Sequence, residues 1–467
     1  MRSTLIIKMD ENYKEYLIDE SKYEGSAESI SFPENEEEMI QVVATMKEAQ
    51  IPITIQGGKT AITGSAIPKE GHIMNLSRMN HCIDFYVGED GNVLLRVEPG
   101  MSLMQLKIEV ARIKGETPLI WPPDPTETSA TIGGIVATNA KGPNQYLYGD
   151  TKQYIYGVKM LTAEGEIETY SRKKDEKQLD VILGKEGITG AFSELTLRLV
   201  PKPESIWCIA FFFEADGDVG AFIKEMENTF SASENAWIVA VEYLDRNTID
   251  LIEQQKNFMA ERKDLPDVEP RFEHMIYVEL QGVEDAIVEL AGEFMELAEK
   301  HNSDPDKAWA ISNETQVDRI KAFRHAAAET VNLHIQEMRR QEKRLTKLGT
   351  DMSLQGENFD SVLLKAKADI KKQDLNYCIF GHVLDNHLHI NLLPKDFKEY
   401  QKGICLIEDW ARNYSTKGGA IVTEHGIGKL KKELFLKYGD KKYLNECKAV
   451  KSRYDPNGFW NPGNIYD

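Results

Sequence analysis

The chain has 467 residues, 41% hydrophobic and 28% charged, with a formal net charge of -20 and an isoelectric point near 5.1. That length predicts two or three folded units, and the acidity argues against nucleic acid and anionic membrane surfaces as partners. Cys82, Cys208, Cys378, Cys405 and Cys447 are scattered without a CxxC pair, which argues against a disulfide scaffold or an iron–sulfur cluster and predicts reduced thiols in a cytoplasmic protein.

Met1 to Tyr16 carries charges throughout and no apolar h-region, so no signal peptide is expected. No run of about 18 apolar residues occurs, so no membrane insertion is expected. Met39, Val42, Val43 and Met46 recur at helical spacing between Asn35 and Ala49, and Asn35 with Glu38 marks a helix start. A strand at Ile51 to Ile55 leads into a glycine-rich loop, Gln56 to Ser65. Gly58-Lys59-Thr60 imitates the end of a Walker A loop, but Ile53 occupies the position of its first glycine. The glycine spacing also fails the dinucleotide GxGxxG pattern. What remains is a turn whose backbone N–H groups can approach a phosphate, or an ordinary turn.

Ile73 to Leu76 and Val93 to Val97 read as strands, and Leu103 to Lys114 as a helix. Trp121-Pro122-Pro123-Asp124-Pro125 is a rigid, non-helical lead. Thr128 to Ala140 follows, with small hydroxyl residues beside Gly133 and Gly134 that allow close backbone approach to a ligand. Tyr154 to Thr162 and Glu166 to Tyr170 form a hairpin around Ala163-Glu164-Gly165. Gly184 to Gly190 is a third glycine-rich turn, and Ser193 to Val200 alternates as a strand. Beyond Pro201 the pattern changes: strands at Phe211 to Phe213, Val239 to Tyr243 and Met275 to Leu280 are interleaved with helices at Gly217 to Thr229 and Val283 to His301. This predicts an antiparallel sheet covered by helices. A long helix is expected from Asn313 to Leu345, its basic run Arg339 to Arg344 forming a solvated face.

The segment Gly381 to Asn391 holds three of the ten histidines, and Glu424-His425 follows downstream. Tyr377 to Phe380 and Ile390 to Leu393 read as short strands, with Asp385-Asn386 as turn chemistry between them. His387, His389 and Asn391 alternate onto one face. His382 and His389 converge only if the chain turns between them. The cluster suits a metal site, or a set of hydrogen-bonded histidines in a polar loop.

Taken together, these segments resemble the FAD-linked oxidase family of the vanillyl-alcohol-oxidase fold. The similar branch contains D-lactate dehydrogenase, including forms linked to an electron-transferring flavoprotein, the glycolate oxidase FAD subunit and D-2-hydroxyglutarate dehydrogenase. The motifs are Gly57-Gly58 to Gly64, Pro122 to Pro125 with Ala130 to Gly134 and Asn139-Ala140, Tyr148 to Gly157, Gly184 to Gly190, and Asp455-Pro456-Asn457-Gly458-Phe459-Trp460-Asn461-Pro462-Gly463. The resemblance implies an α+β fold. A PCMH-type (p-cresol-methylhydroxylase-type) FAD-binding domain of two α+β subdomains would span 1–204. A substrate-binding cap domain with an antiparallel sheet covered by helices would span 205–420, and a C-terminal segment, 421–467, would return to the flavin.

The same resemblance assigns FAD contacts to Gln56, Gly57, Gly58, Lys59, Thr60, Gly64, Ser65, Pro122, Asp124, Thr128, Ala130, Thr131, Gly133, Gly134, Asn139, Ala140, Glu186, Gly187, Gly190 and Asn461. The FAD is expected to be non-covalent, because the Gly57 loop has no histidine. His382, His389 and Glu424 correspond to ligands of one divalent metal, for which Fe, Zn and Mn all suit the donors. His425 corresponds to the catalytic base, Arg324 to the clamp on the substrate carboxylate and Asn391 to a polar contact near the metal. Two departures stand out. Leu384-Asp385-Asn386-His387 replaces the family's GDGN, which makes His387 a competing ligand or a supporting residue. The lysine usual before the Thr350-Asp351 segment is absent, with Lys347 displaced.

The activity implied is oxidation of a small D-2-hydroxy acid, D-lactate to pyruvate first, with glycolate and D-2-hydroxyglutarate as alternatives. Electron transfer within a complex is a further alternative, and so is the non-redox chemistry of alkyl-dihydroxyacetone-phosphate synthase. Arginine suits a carboxylate bidentately, a metal lowers a hydroxyl pKa, and a histidine takes the proton. With no second redox centre recognisable in the sequence, the expected electron acceptor is an electron-transferring flavoprotein, with oxygen or a small quinone as the alternative.

Overall fold

The computed structural model describes residues 5–230, 235–256, 265–312 and 314–466. Two compact units emerge. One comprises Met1–Gly142, Gly149–Lys202 and Glu424–Asp467; the other comprises Pro143–Tyr148 and Pro203–Thr423.

In the first unit, a four-stranded sheet runs in the order Ile6–Lys8, Ser29–Ser31, His72–Asn75, Ile53–Gln56. The last two pairings are parallel. Its covering helix, Glu36–Glu48, starts where expected. The Asn35 side chain accepts from Glu38 N at 3.0 Å, and three glutamates sit at the positive end of the helix dipole. Met39, Val42, Val43 and Met46 are buried against Ile53, Met74 and Trp460, each contributing roughly 1.5–3 kcal/mol of apolar burial. Trp460 is held there because Ile53 N donates to Phe459 O and Asn461 N donates to Ile53 O, both at 2.8 Å. The buried Asp455 carboxylate accepts from Phe459 N and Trp460 N, which folds the C-terminal motif into a fixed turn.

A second, antiparallel sheet runs Cys82–Val87, Val93–Val97, Ala191–Pro201, Ile155–Leu161, Ile167–Ser171, with Leu119–Ile120 added to the third strand. The hairpin expected around Gly165 is present, and that glycine has φ +85°.

The second unit is built on one antiparallel sheet of eight strands. The order is Trp309–Ile311, Ser205–Phe213, His274–Gly282, Ala236–Asp245, Tyr377–His382, His387–Leu392, Leu348–Gly349, with Met352–Ser353 also on His387–Leu392. Alternation sorts its faces. Cys208, Ala210 and Phe212 pack with Val317, Ile320, Phe323, Ala327 and Val331 of the helix Glu314–Arg339. Phe211 and Phe213 point the other way, onto Phe222 of the helix Asp216–Thr229. Both faces being covered explains why every residue of His274–Gly282 is buried.

The long helix ends at Arg339, short of the expected Leu345, and its expected start at Asn313 lies outside the described residues. Past Arg339 the chain tightens, with Arg340 N and Gln341 N bonding three residues back. Buried Leu345 then turns inward, and the Arg339 guanidinium donates to its carbonyl. Within the basic run, Arg344 is exposed, pairs with Glu342 and lies 3.9 Å over the Phe397 ring. All five cysteines are free; Cys82 and Cys405 are exposed and the other three are buried.

Candidate metal and flavin sites

The histidine cluster grows out of one hairpin. Tyr377–His382 pairs antiparallel with His387–Leu392, so that His382 faces His387 and Phe380 faces His389. Asn386, at φ +46°, makes the turn, and its buried amide donates to Leu354 O and Glu357 O at 2.9 and 2.8 Å. Gly381 is required at its position: at φ +144° any Cβ would fall 2.4 Å from His387 O. The turn thus brings His382 and His389, seven residues apart, onto the same side.

Two buried carboxylates stand behind these rings. Glu242 lies opposite His382 on the neighbouring strand. Its Oε1 is 2.6 Å from His382 Nδ1, and its Oε2 accepts from Arg324 Nη2 at 2.7 Å. Burial opposes ionisation of Glu242, but Arg324 and His382 outweigh it and hold the carboxyl down to about 2. Asp351 Oδ1 lies 3.1 Å from His387 Nε2, both residues being buried. Carboxylates behind imidazoles fix ring orientation and raise donor strength, as they do around metal-bound histidines.

The boundary between the units falls on the peptide bond joining Thr423 to Glu424. Thr423 is itself tied down, its hydroxyl donating to Asp351 O at 3.0 Å. One ring nitrogen from each of His382, His387 and His389, all of the second unit, lies within 4.8 Å of the others. Three imidazoles, two of them backed by Glu242 and Asp351, are donors of the kind a divalent transition metal takes. His425 Nε2 is 3.0 Å from Glu424 Oε1.

Arg324 is 7% exposed, so the carboxylate it pairs with is an interior one and not a surface one. Lys347 donates to Asn332 Oδ1 at 2.9 Å. Asn391 is buried and donates to His389 O at 3.1 Å. Neither Glu242 nor Asp351 was singled out by sequence reasoning as a partner of the histidines. The available signal for Glu242 was a lone carboxylate inside the apolar run Val239 to Tyr243.

The first unit carries the remaining candidate residues. The loop from Gly57 begins at the carboxyl end of the parallel strand Ile53–Gln56, the end at which open α/β sheets bind ligands. Among the described residues, no backbone N–H from Gly57 to Ala66 donates to a protein acceptor, although Thr63, Gly64 and Ser65 are buried. Buried donors without an internal acceptor suit an anion such as a pyrophosphate. Lys59 and Gly64 both adopt positive φ, +60° and +71°. A Cβ on Gly57 would meet Thr131 Oγ1 at 2.1 Å, and one on Gly58 would meet Ser129 O at 2.7 Å. The first two glycine-rich segments are therefore packed together.

Thr131 caps the helix Ile132–Thr138 by accepting from Gly134 N, and Gly133 N donates to Pro99 O at 2.8 Å. Asn139 closes that helix at φ +48° and accepts from Lys152 N; Ala140 O accepts from the Thr151 hydroxyl. Thr128 O and Ala130 O accept from Met104 N and Leu103 N. Pro122 is buried and Asp124 pairs with Lys107. Gln56 is buried, its amide donating to Tyr16 O and Ala66 O. Lys59 lies 4.1 Å over the Tyr16 ring, and Thr60 is half-buried beside it. Asn461 accepts from Ile55 N at 2.7 Å and donates to Glu186 O at 2.7 Å. A Cβ on Gly187 would strike Asn461 Nδ2, and one on Gly190 would strike Leu161 O.

Two segments of the chain match families of known proteins. The C-terminal domain of FAD linked oxidases matches residues 222–465, and an FAD binding domain matches residues 27–171. The chain belongs to the FAD-linked oxidase family and is an oxidoreductase carrying an FAD-binding domain. It is 26% identical to a D-lactate dehydrogenase of Anaerostipes hadrus, covering 98% of this chain and 93% of that one. It is also 26% identical to the glycolate oxidase subunit GlcD of Bacillus subtilis, over 95% and 90% of the two chains. Identity to a D-2-hydroxyglutarate dehydrogenase of Stutzerimonas stutzeri is 24%, over 94% and 90%. Among solved structures, p-cresol methylhydroxylase superposes with a TM-score of 0.72 at 16% identity, over 99% of this chain and 94% of that one, which shows the shared α+β fold. No described helix is long and apolar enough to cross a membrane.

Proposed function

We propose that this protein oxidises a small D-2-hydroxy acid at the expense of FAD, with D-lactate to pyruvate as the first assignment and glycolate or D-2-hydroxyglutarate as the alternatives. The observation that carries the reading is the group His382, His387 and His389, backed by Glu242 and Arg324, in a chain with an FAD-binding domain. His382, His389 and Glu424 would hold a divalent metal, with His387 as a further donor; once bound, it supplies Lewis acidity toward the substrate hydroxyl. FAD, held non-covalently, supplies the acceptor for the hydride that leaves the α-carbon.

The chain's own residues do the rest. Arg324 binds the substrate carboxylate, and Glu242 holds Arg324 and His382 in fixed relation through its two oxygens. His425, whose Nε2 lies 3.0 Å from Glu424 Oε1, would take the hydroxyl proton. Hydride loss and proton loss together leave the 2-oxo acid. The electrons then pass to an electron-transferring flavoprotein.

The test is an anaerobic bleaching screen of the FAD-loaded protein against D- and L-2-hydroxy acids, with elemental analysis of the same sample. Bleaching by D-lactate, with one equivalent of a transition metal, is expected. Bleaching by no 2-hydroxy acid, or full activity in metal-free protein, would overturn the reading. Reoxidation by oxygen as fast as by a purified electron-transferring flavoprotein would overturn the assignment of the acceptor.

A further inference from the structure

Glu186 sits in the glycine-rich turn Gly184 to Gly190, yet its carboxylate is turned away from that turn. Oε1 accepts from Ile427 N at 2.6 Å and Oε2 accepts from Gly428 N at 2.7 Å. Gly426 and Gly428 have φ of +76° and +53°, so the successive N–H groups between them form a concave backbone nest that the carboxyl fills; burial pushes that carboxyl upward, and the Ile427 and Gly428 N–H groups and Lys429 oppose the push. Glu186 is itself held firmly. It adopts φ +50°, its N–H donates to Ala137 O at 2.7 Å, and its carbonyl accepts from Asn461 and Asn464. The far side of the loop is clamped as well: Lys429 N and Leu430 N both donate to Thr63 O at 3.0 Å, and a Cβ on Gly428 would fall 2.3 Å from that oxygen.

We infer that Glu186 is a positioning residue: its carboxylate, seated in the Gly426-Ile427-Gly428 nest, sets the loop from which Glu424 and His425 project. Both oxygens are used, so a neutral isostere cannot replace it. A glutamine offers one acceptor and turns an NH2 group against the second N–H. The loop geometry stands by itself within the first unit; its effect on metal and base rests on the function proposed above.

The experiment compares Glu186→Gln and Glu186→Asp with the wild type, all FAD-loaded. It measures amide hydrogen exchange at Ile427 and Gly428, affinity for added Zn²⁺ or Mn²⁺, and the rate of flavin reduction by D-lactate. In Glu186→Gln, exchange at those two amides is expected to quicken more than at other amides of the first unit. Metal affinity should fall by up to ~10-fold, below the loss usual for a residue bonded to a ligand directly, because Glu186 acts through the loop. Glu186→Asp, which keeps the charge one methylene short, should lie between the two, and it carries the test if the glutamine variant does not fold. Unchanged protection at Ile427 and Gly428 in Glu186→Gln would overturn the inference. So would an equal, uniform rise in exchange across the first unit in both variants. A wild type that binds no metal and is bleached by no 2-hydroxy acid overturns the proposed function instead, and the exchange data still decide the role of Glu186.

Discussion

Replacing Glu242 with glutamine isolates the buried charge on which the histidine cluster leans. Glu242 is 1% exposed and bridges Arg324 and His382. Its carboxyl titrates at about 2 in the folded protein against an ordinary 4.5, which corresponds to about 3 kcal/mol of stabilisation at neutral pH. Breaking one side of a buried ion pair costs about 3–5 kcal/mol in general. The two values agree, with the lower one favoured because glutamine still accepts from Arg324. Since the folded value is depressed, this stabilisation is present above about 4.5 and is lost as the pH falls toward about 2. Glu242→Gln should therefore lower the stability of the second unit by about 3 kcal/mol at pH 7, and the deficit should shrink on acidification below 4.5. Urea unfolding of the metal-free protein, followed through Trp207, Trp237 and Trp309 of that unit, reads the difference. A deficit under about 0.5 kcal/mol at pH 7 would refute the reasoning, since that is the scatter of an exposed pair. So would a deficit that does not change with pH.

His389→Ala should lose bound metal and 2-hydroxy acid oxidation while FAD stays bound; flavin absorbance and elemental analysis on one sample check both. His425→Asn should keep metal and flavin yet slow single-turnover flavin reduction on the order of 10²–10⁴-fold; an unchanged rate would move the base elsewhere, with His387 next. Burial pushes Lys429 down to about 8, against the opposing pull of Glu186 and Asp19. The unfolded chain then holds a proton between about 8 and 10.5 that the folded protein does not, so stability should rise with pH across that window by on the order of 2–3 kcal/mol. Lys429→Met should flatten that rise in denaturation series at successive pH values, and an unaltered slope would assign it to another group.

The elements that were legible from periodicity carry local signals, whereas the helices Phe359–Gln373, Phe397–Thr416 and Lys441–Tyr454 were not read from the sequence. The spacing of Met39, Val42, Val43 and Met46 and the Asn35 cap define the first long helix to within a residue of its observed ends. The long helix was overextended at its C-terminus, where no glycine or proline marks the stop; burial of Leu345 and the Arg339 contact end it, and both are tertiary. The histidine hairpin was equally local: alternation and the Asp385-Asn386 turn already require His382 and His389 to meet if the strands pair.

The sequence by itself determined the family, the two sets of sheets and the histidine-rich hairpin, since each is written in residues close along the chain. Only the tertiary structure decided what supports them. Glu242 reaches His382 across 140 residues, Asp351 reaches His387 across 36, and Glu186 meets Ile427 across 241. Sequence periodicity reports which face of an element is buried, but not which distant carboxylate shares that burial. That pairing is fixed by strand register and loop clamping, and it decides why Glu242 stays ionised beside Arg324 and why Glu186 faces a loop instead of its own glycine-rich turn.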